Sequence, residues 1–212
     1  MTVIVFAPHP DDEVLGVGGT LARYSESGER TVVVVFSTGR ASHPLHKERI
    51  IVQTRKDETL AAHKELGVSE SIFLDLDEVT LQEDIIEKEI ILKLHELIKK
   101  ERPRQLFTPA IDDLHPDHRT VTRTILQLHS QYELTCPLFS YIVWNPLPLL
   151  KRGHPRLVVD ISGTNRRKMR AIRSYKSQWL SMYQLVPVVL IKTFIAGLRY
   201  GHRWAEVFYQ IK

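Results

Sequence analysis

The chain has 212 residues, 43% of them hydrophobic and 25% charged, and its single cysteine is Cys136. This composition excludes an intrinsically disordered chain, a disulfide scaffold and a cysteine-rich zinc module. It fits one globular domain, 1–212, in a reducing, cytoplasmic compartment. The net charge of +4 is uneven: residues 151–212 hold 13 Lys/Arg against 2 Asp/Glu, and residues 1–150 hold 16 against 23.

The opening segment, MTVIVFAPHPDDE, is apolar at once and turns acidic by residue 11, which does not read as a signal peptide. Val3–Phe6 and Thr31–Phe36 are continuous β-branched runs, as expected of strands covered on both faces. A first helix is expected from about Val14, and a second over His46–Leu66, closed by Gly67. Ile72–Leu74, Gln105–Thr108, Leu138–Val143 and Leu157–Val159 are shorter candidate strands. Helical spacing recurs over Leu81–Lys100, Pro116–Leu128 and Asn165–Met182.

The apolar run Leu185–Leu198 is interrupted by Pro187 and Lys192. It reads as a buried strand or partner surface, and no membrane span is expected. The alternation predicts an α/β, Rossmann-like fold: a mostly parallel sheet with helices on both faces and a small C-terminal extension. In such sheets ligands sit beyond the C-terminal ends of the strands.

Two clusters fall at such ends. The first, His9-Pro10-Asp11-Asp12-Glu13, follows the first strand. Its prolines stiffen the turn, so His9 and Asp12 could converge on one metal and leave Asp11 free. The plainer reading is a polar loop in which Asp11 or Asp12 caps the next helix. The second, Asp112-Asp113-Leu114-His115-Pro116-Asp117-His118, opens a helix with Pro116 near its first turn. Its His-x-x-His pair can aim one imidazole at a metal and keep the other at the rim. Two His and one Asp make a three-ligand zinc site with an open fourth position for water. Hydrolysis then needs a base and an oxyanion donor, for which Asp11 and His115 remain, while Asp117 or Asp113 could orient a histidine.

Other features read as structural. Gly16, Gly18 and Gly19 miss the dinucleotide-binding spacing and suit close packing of helix on sheet. His43 and His46 around Pro44 read as surface residues, and His63, His95 and His129 as ordinary helical positions. Trp144, Trp179 and Trp204 read as core, with Trp144 beside Pro146 the best candidate for a rim.

At His9-Pro10-Asp11-Asp12-Glu13 and His115-Pro116-Asp117-His118 the chain resembles the LmbE-like, or PIG-L, family of zinc-dependent N-acetylglucosamine deacetylases. Arg55-Lys56-Asp57-Glu58 resembles the family's Arg-x-x-Glu segment, and Ala205-Glu206-Val207-Phe208 its C-terminal Ala-Glu-x-Phe. The resemblance implies zinc held by His9, Asp12 and His118, with Asp11 as general base. It implies that His115 stabilises the oxyanion and protonates the leaving amine, and that Arg55 contacts substrate. The expected substrate is a small N-acetylated sugar conjugate, such as a bacillithiol precursor or a chitooligosaccharide; a homo-oligomer, trimer or hexamer, is compatible. A basic C-terminal region would suit an anionic aglycone. Two other readings remain: a metal-dependent hydrolase of another N-acyl or ester substrate, and a non-catalytic α/β binding protein. Nucleic acid is not an expected partner.

Overall fold

A computed structural model describes residues 1–39, 48–143 and 155–212. His43, Pro44, His46, Trp144 and Pro146 lie outside them. Seven strands form one sheet in the order β3-β2-β1-β4-β5-β7-β6. They are β1 Thr2–Ala7, β2 Arg30–Ser37, β3 Glu70–Leu76, β4 Gln105–Pro109, β5 Leu138–Tyr141, β6 Arg156–Asp160 and β7 Ala205–Gln210. β3, β2, β1, β4 and β5 are mutually parallel, whereas β7 runs antiparallel to both β5 and β6.

The helices are α1 Asp12–Glu26, α2 Glu48–Leu66, α3 Leu81–Glu87, α4 Ile90–Glu101, α5 Pro116–Gln131, α6 Asn165–Ile172 and α7 Trp179–Tyr200. Alternate side chains of the central strands serve opposite faces. Val3, Val5, Val33 and Val35 pack with residues of α1, α2, α6 and α7. Ile4, Phe6, Val32 and Val34 pack with residues of α3, α4 and α5. Burial on both faces is why these strands read as unbroken apolar runs.

Four expectations need correction. The helix expected over Asn165–Met182 is α6, which ends at Ile172, then a 3₁₀ turn over Lys176–Gln178 and the first turn of α7. The helix expected over Leu81–Lys100 is two helices, with Glu89 between them in the left-handed conformation at φ 51°. α3 buries Leu81 and Ile85, and α4 buries Ile90, Leu94 and Ile98. The five-residue step from Ile85 to Ile90 leaves a straight helix's apolar face, and the break at Glu89 restores the phase. The run Leu185–Leu198 is not a strand but part of α7. Within α7, Met182–Tyr200 is long and apolar enough to cross a membrane by length and composition, with mean hydropathy 1.3. Pro187 and Lys192 are too few to offset its Val, Leu and Ile content. Met182, Leu185 and Val189 of this helix nevertheless dock into the core. Trp179 is exposed rather than core, whereas Trp204 is partly buried against the core.

The glycines of α1 do pack closely. A Cβ on Gly16 would stand 2.3 Å from the Tyr141 ring, and one on Gly19 2.7 Å from Ile161. The C-terminal segment extends the same sheet, and three of the four cations of α6 pair within the fold: Arg167 with Glu26, Arg170 with Glu65 and Lys168 with Glu206.

Candidate active site

Strand order reverses direction of growth between β1 and β4, which lie side by side, so the loops leaving their C-terminal ends diverge around one crevice. The two histidine–aspartate clusters occupy those loops. Asp11 stands at the N-cap position of α1 with φ 115°, in the region that disfavours a side chain, and its carboxyl makes no cap hydrogen bond. Its carbonyl accepts from the N–H groups of Val14 and Leu15, both at 3.0 Å. The carboxyl is thereby left for chemistry rather than capping.

Asp12 is the hub. Its Oδ2 accepts from the backbone N–H of His9 at 3.0 Å, and it lies 3.1 Å from both His9 Nδ1 and His118 Nε2. Asp12 and His118 are buried. Neither ring nitrogen of His118 makes a well-aligned hydrogen bond. Buried polar atoms of this kind are costly without a partner. Three donors on bonds of about 2.0–2.1 Å to a tetrahedral zinc would stand about 3.3 Å apart, close to the separations around Asp12. The site therefore fits a metal. His115 also brings a ring nitrogen within 4.8 Å of those of His9 and His118.

The aspartates behind the imidazoles both serve. Asp117 Oδ2 lies 2.9 Å from His9 Nε2, and Asp113 Oδ2 lies 3.3 Å from His118 Nδ1. Burial lowers the His9 pKa, but the bonds to Asp117 and Asp12 outweigh it and push it up to about 10. Burial likewise disfavours charge on His118, yet Asp12 and Asp113 raise it to about 9. For Asp12 burial acts upward, and the His118 charge and hydrogen bonds hold the carboxyl well below the usual range. The cluster thus stabilises positive charge at the spot where the two imidazoles meet Asp12. His115 titrates lower than an ordinary histidine, first through burial and then through the neighbouring His9 and His118.

Arg55 is buried, and its guanidinium donates to the Pro10 carbonyl at 2.6 Å and to Asp11 Oδ2 at 3.3 Å. It grips the loop after β1 rather than presenting itself to solvent. Gly39 permits this, since a Cβ there would meet the guanidinium at 2.5 Å. Burial pushes the Asp11 carboxyl up to about 8, with the Arg55 charge opposing and Asp12 and Glu13 adding to the rise.

Sequence reasoning missed the layer beneath. Glu13 is fully buried; its Oε2 accepts from Asp11 N at 3.2 Å, and its Oε1 meets His63 Nε2 at 3.0 Å and the Tyr175 hydroxyl at 2.9 Å. His63 lies eight residues after Arg55, two turns along the same face of α2, which was the available signal. His95 and His129 are ordinary as expected, stacking on Tyr132 and meeting the Cys136 carbonyl.

The model of the family of GlcNAc-PI de-N-acetylases (PIG-L) matches residues 4–129, more than half of the chain. The chain belongs to the PIG-L family of de-N-acetylases. Among curated PIG-L-like relatives, the diacetylchitobiose deacetylase of Thermococcus kodakarensis is 27% identical, over 96% of this chain and 80% of that one. A probable N-acetyl-α-D-glucosaminyl L-malate deacetylase of Bacillus cereus is 24% identical over 86% of each. The solved 4-carboxy-2-hydroxymuconate hydratase GalB of Pseudomonas putida superposes with a TM-score of 0.83 at 18% identity, covering 100% of this chain and 96% of that one. That last likeness shows only the fold, which evidently hosts more than one chemistry. Within the PIG-L family, fold and deacetylase activity accord with the sequence reading.

Proposed function

We propose that the protein removes the N-acetyl group from a GlcNAc-containing small molecule, using zinc held by His9, Asp12 and His118. The observation that carries this reading is the approach of His9 Nδ1 and His118 Nε2 to one oxygen of Asp12, with the Asp11 carboxyl left outside that set. The deacetylase relatives named for chitobiose and GlcNAc-malate support the substrate class. Zinc supplies a Lewis acid that polarises the acetamide carbonyl and activates water.

Asp11 takes the proton of the attacking water. Its burial makes it a stronger base than an exposed carboxylate, and Arg55 fixes its direction. His115 has a defined tautomer: Nδ1 accepts from the Asp117 N–H at 3.3 Å, so the ring proton resides on Nε2. From there it donates to the developing oxyanion. A neutral His115 has no second proton to give, so the leaving amine receives its proton from Asp11. Asp113 and Asp117 keep the His118 and His9 rings in register. Arg55 acts through Asp11 rather than on the substrate.

The test is acetate release from diacetylchitobiose, GlcNAc-malate and an N-acetyl amine lacking the sugar. Release from a GlcNAc substrate, reduced about 10²–10⁴-fold in Asp11→Asn, is the expected result for loss of a general base. Turnover of the sugar-free amine at the same rate would point instead to the broader hydrolase. Undiminished release in Asp11→Asn would remove Asp11 from the mechanism.

A further inference from the structure

Residues 161–205 contain nine Lys/Arg and no Asp or Glu. α6 pairs three of these cations inside the fold, as described above. Arg166 also lies on α6, and the other five surround α7: Arg173 and Lys176 precede it, Lys192 and Arg199 stand seven residues apart along one flank, and Arg203 follows its end. Apart from Gln184, the described exposed residues on the face of α7 turned away from the core are apolar. Leu180, Tyr183, Ile191, Ile195 and Leu198 are each more than half exposed, with Pro187 exposed between them. Trp179, 68% exposed, and Tyr200 mark the two ends of the helix. A contiguous apolar stripe of this size is uncommon on the surface of a monomer.

The buried row Met182, Leu185 and Val189 ties the opposite face of α7 to the core. The helix therefore lies along the molecule and offers its outer stripe sideways. An apolar stripe, terminal aromatics, flanking cations and no acidic residue are what a helix lying in the plane of a membrane interface requires. A two-fold contact with a second copy would instead set this acid-free, cationic stretch against itself. The flank carrying Lys192 and Arg199 also borders a cavity of about 310 Å³ whose other walls include Val189, Ala196 and Val207.

We infer that α7 is an interfacial helix by which the protein docks on an anionic lipid surface. The inference is independent of the proposed reaction. The experiment is sedimentation of the full chain with vesicles of phosphatidylcholine alone, or mixed with phosphatidylglycerol, at low and high salt. Partition at least about tenfold stronger into the anionic vesicles, and weakened by salt, is expected.

Ile191→Asp combined with Leu198→Asp should abolish it. Lys192→Gln combined with Arg199→Gln should reduce it about tenfold or more without touching the apolar stripe. Thermal melts of both variants, matched to the parent, show that folding is retained; if the aspartate variant fails to fold, the glutamine variant decides. No partition into either vesicle, or partition unchanged in the folded variants, overturns the inference. So does a dimer in sedimentation equilibrium that the aspartate variant dissociates, since a second copy would then cover the face.

Discussion

Glu13 never reaches solvent, yet it receives the Asp11 N–H, His63 and the Tyr175 hydroxyl. Those contacts hold Asp11 at a φ that an L residue resists, so a buried carboxylate balances the strain of the turn after β1. Tyr175→Phe removes one donor to a buried charge and should cost about 1.5–3 kcal/mol in denaturant unfolding. A change under half a kilocalorie would mean that Glu13 is held well enough without it. At this scale the sequence was legible where residue type and strand-end position agreed, as for His9, Asp12, Asp113, Asp117 and His118. It was not legible for Glu13, whose partners come from α2 and from the turn before α7, more than forty residues away. Arg55 was recognised from its motif, but its burial against Pro10 and Asp11 follows from packing that no local pattern encodes.

α1 carries the His9–Asp12 loop at one end and is fixed at its middle by the C-terminal segment. Glu206 accepts from the N–H groups of Gly19 and Thr20 at 3.0 and 2.8 Å, while Lys168 donates to the Leu15 carbonyl at 2.7 Å and to Glu206 at 2.6 Å. A buried ion pair thus takes over backbone groups that the helix ladder would otherwise use. Lys168→Met leaves Glu206 buried without its counter-charge and should destabilise the protein by about 3–5 kcal/mol. Calorimetric or denaturant melts read this directly; a loss below 1 kcal/mol would show that Gly19, Thr20 and the Thr20 hydroxyl suffice for Glu206. The Ala-Glu-x-Phe segment was visible as a motif, but not as a strand. Its pairing partners in β5 and β6 are distant in sequence, and register across such distances leaves no local trace. The helix pair α3 and α4 was blurred for a different reason: Glu89 takes a left-handed conformation where no glycine announces it.

The molecule as a whole follows from strand order. Placing β1 beside β4 brings together two loops about a hundred residues apart, and neither loop makes a three-ligand site alone. The alternation of strands and helices was legible because central strands are buried on both faces and outer helices are amphipathic. α7 escaped because it is apolar on both faces, one for the core and one for the surface, so it has no helical stripe to read.

The measurement that bears most directly on the account is metal content by elemental analysis of the parent protein, Asp12→Ala, His118→Ala and Asp11→Asn. About one zinc per chain is expected in the parent and in Asp11→Asn, with loss from Asp12→Ala and His118→Ala. Zinc lost from Asp11→Asn but kept in Asp12→Ala would contradict the division of labour between the two aspartates, and with it the site as built.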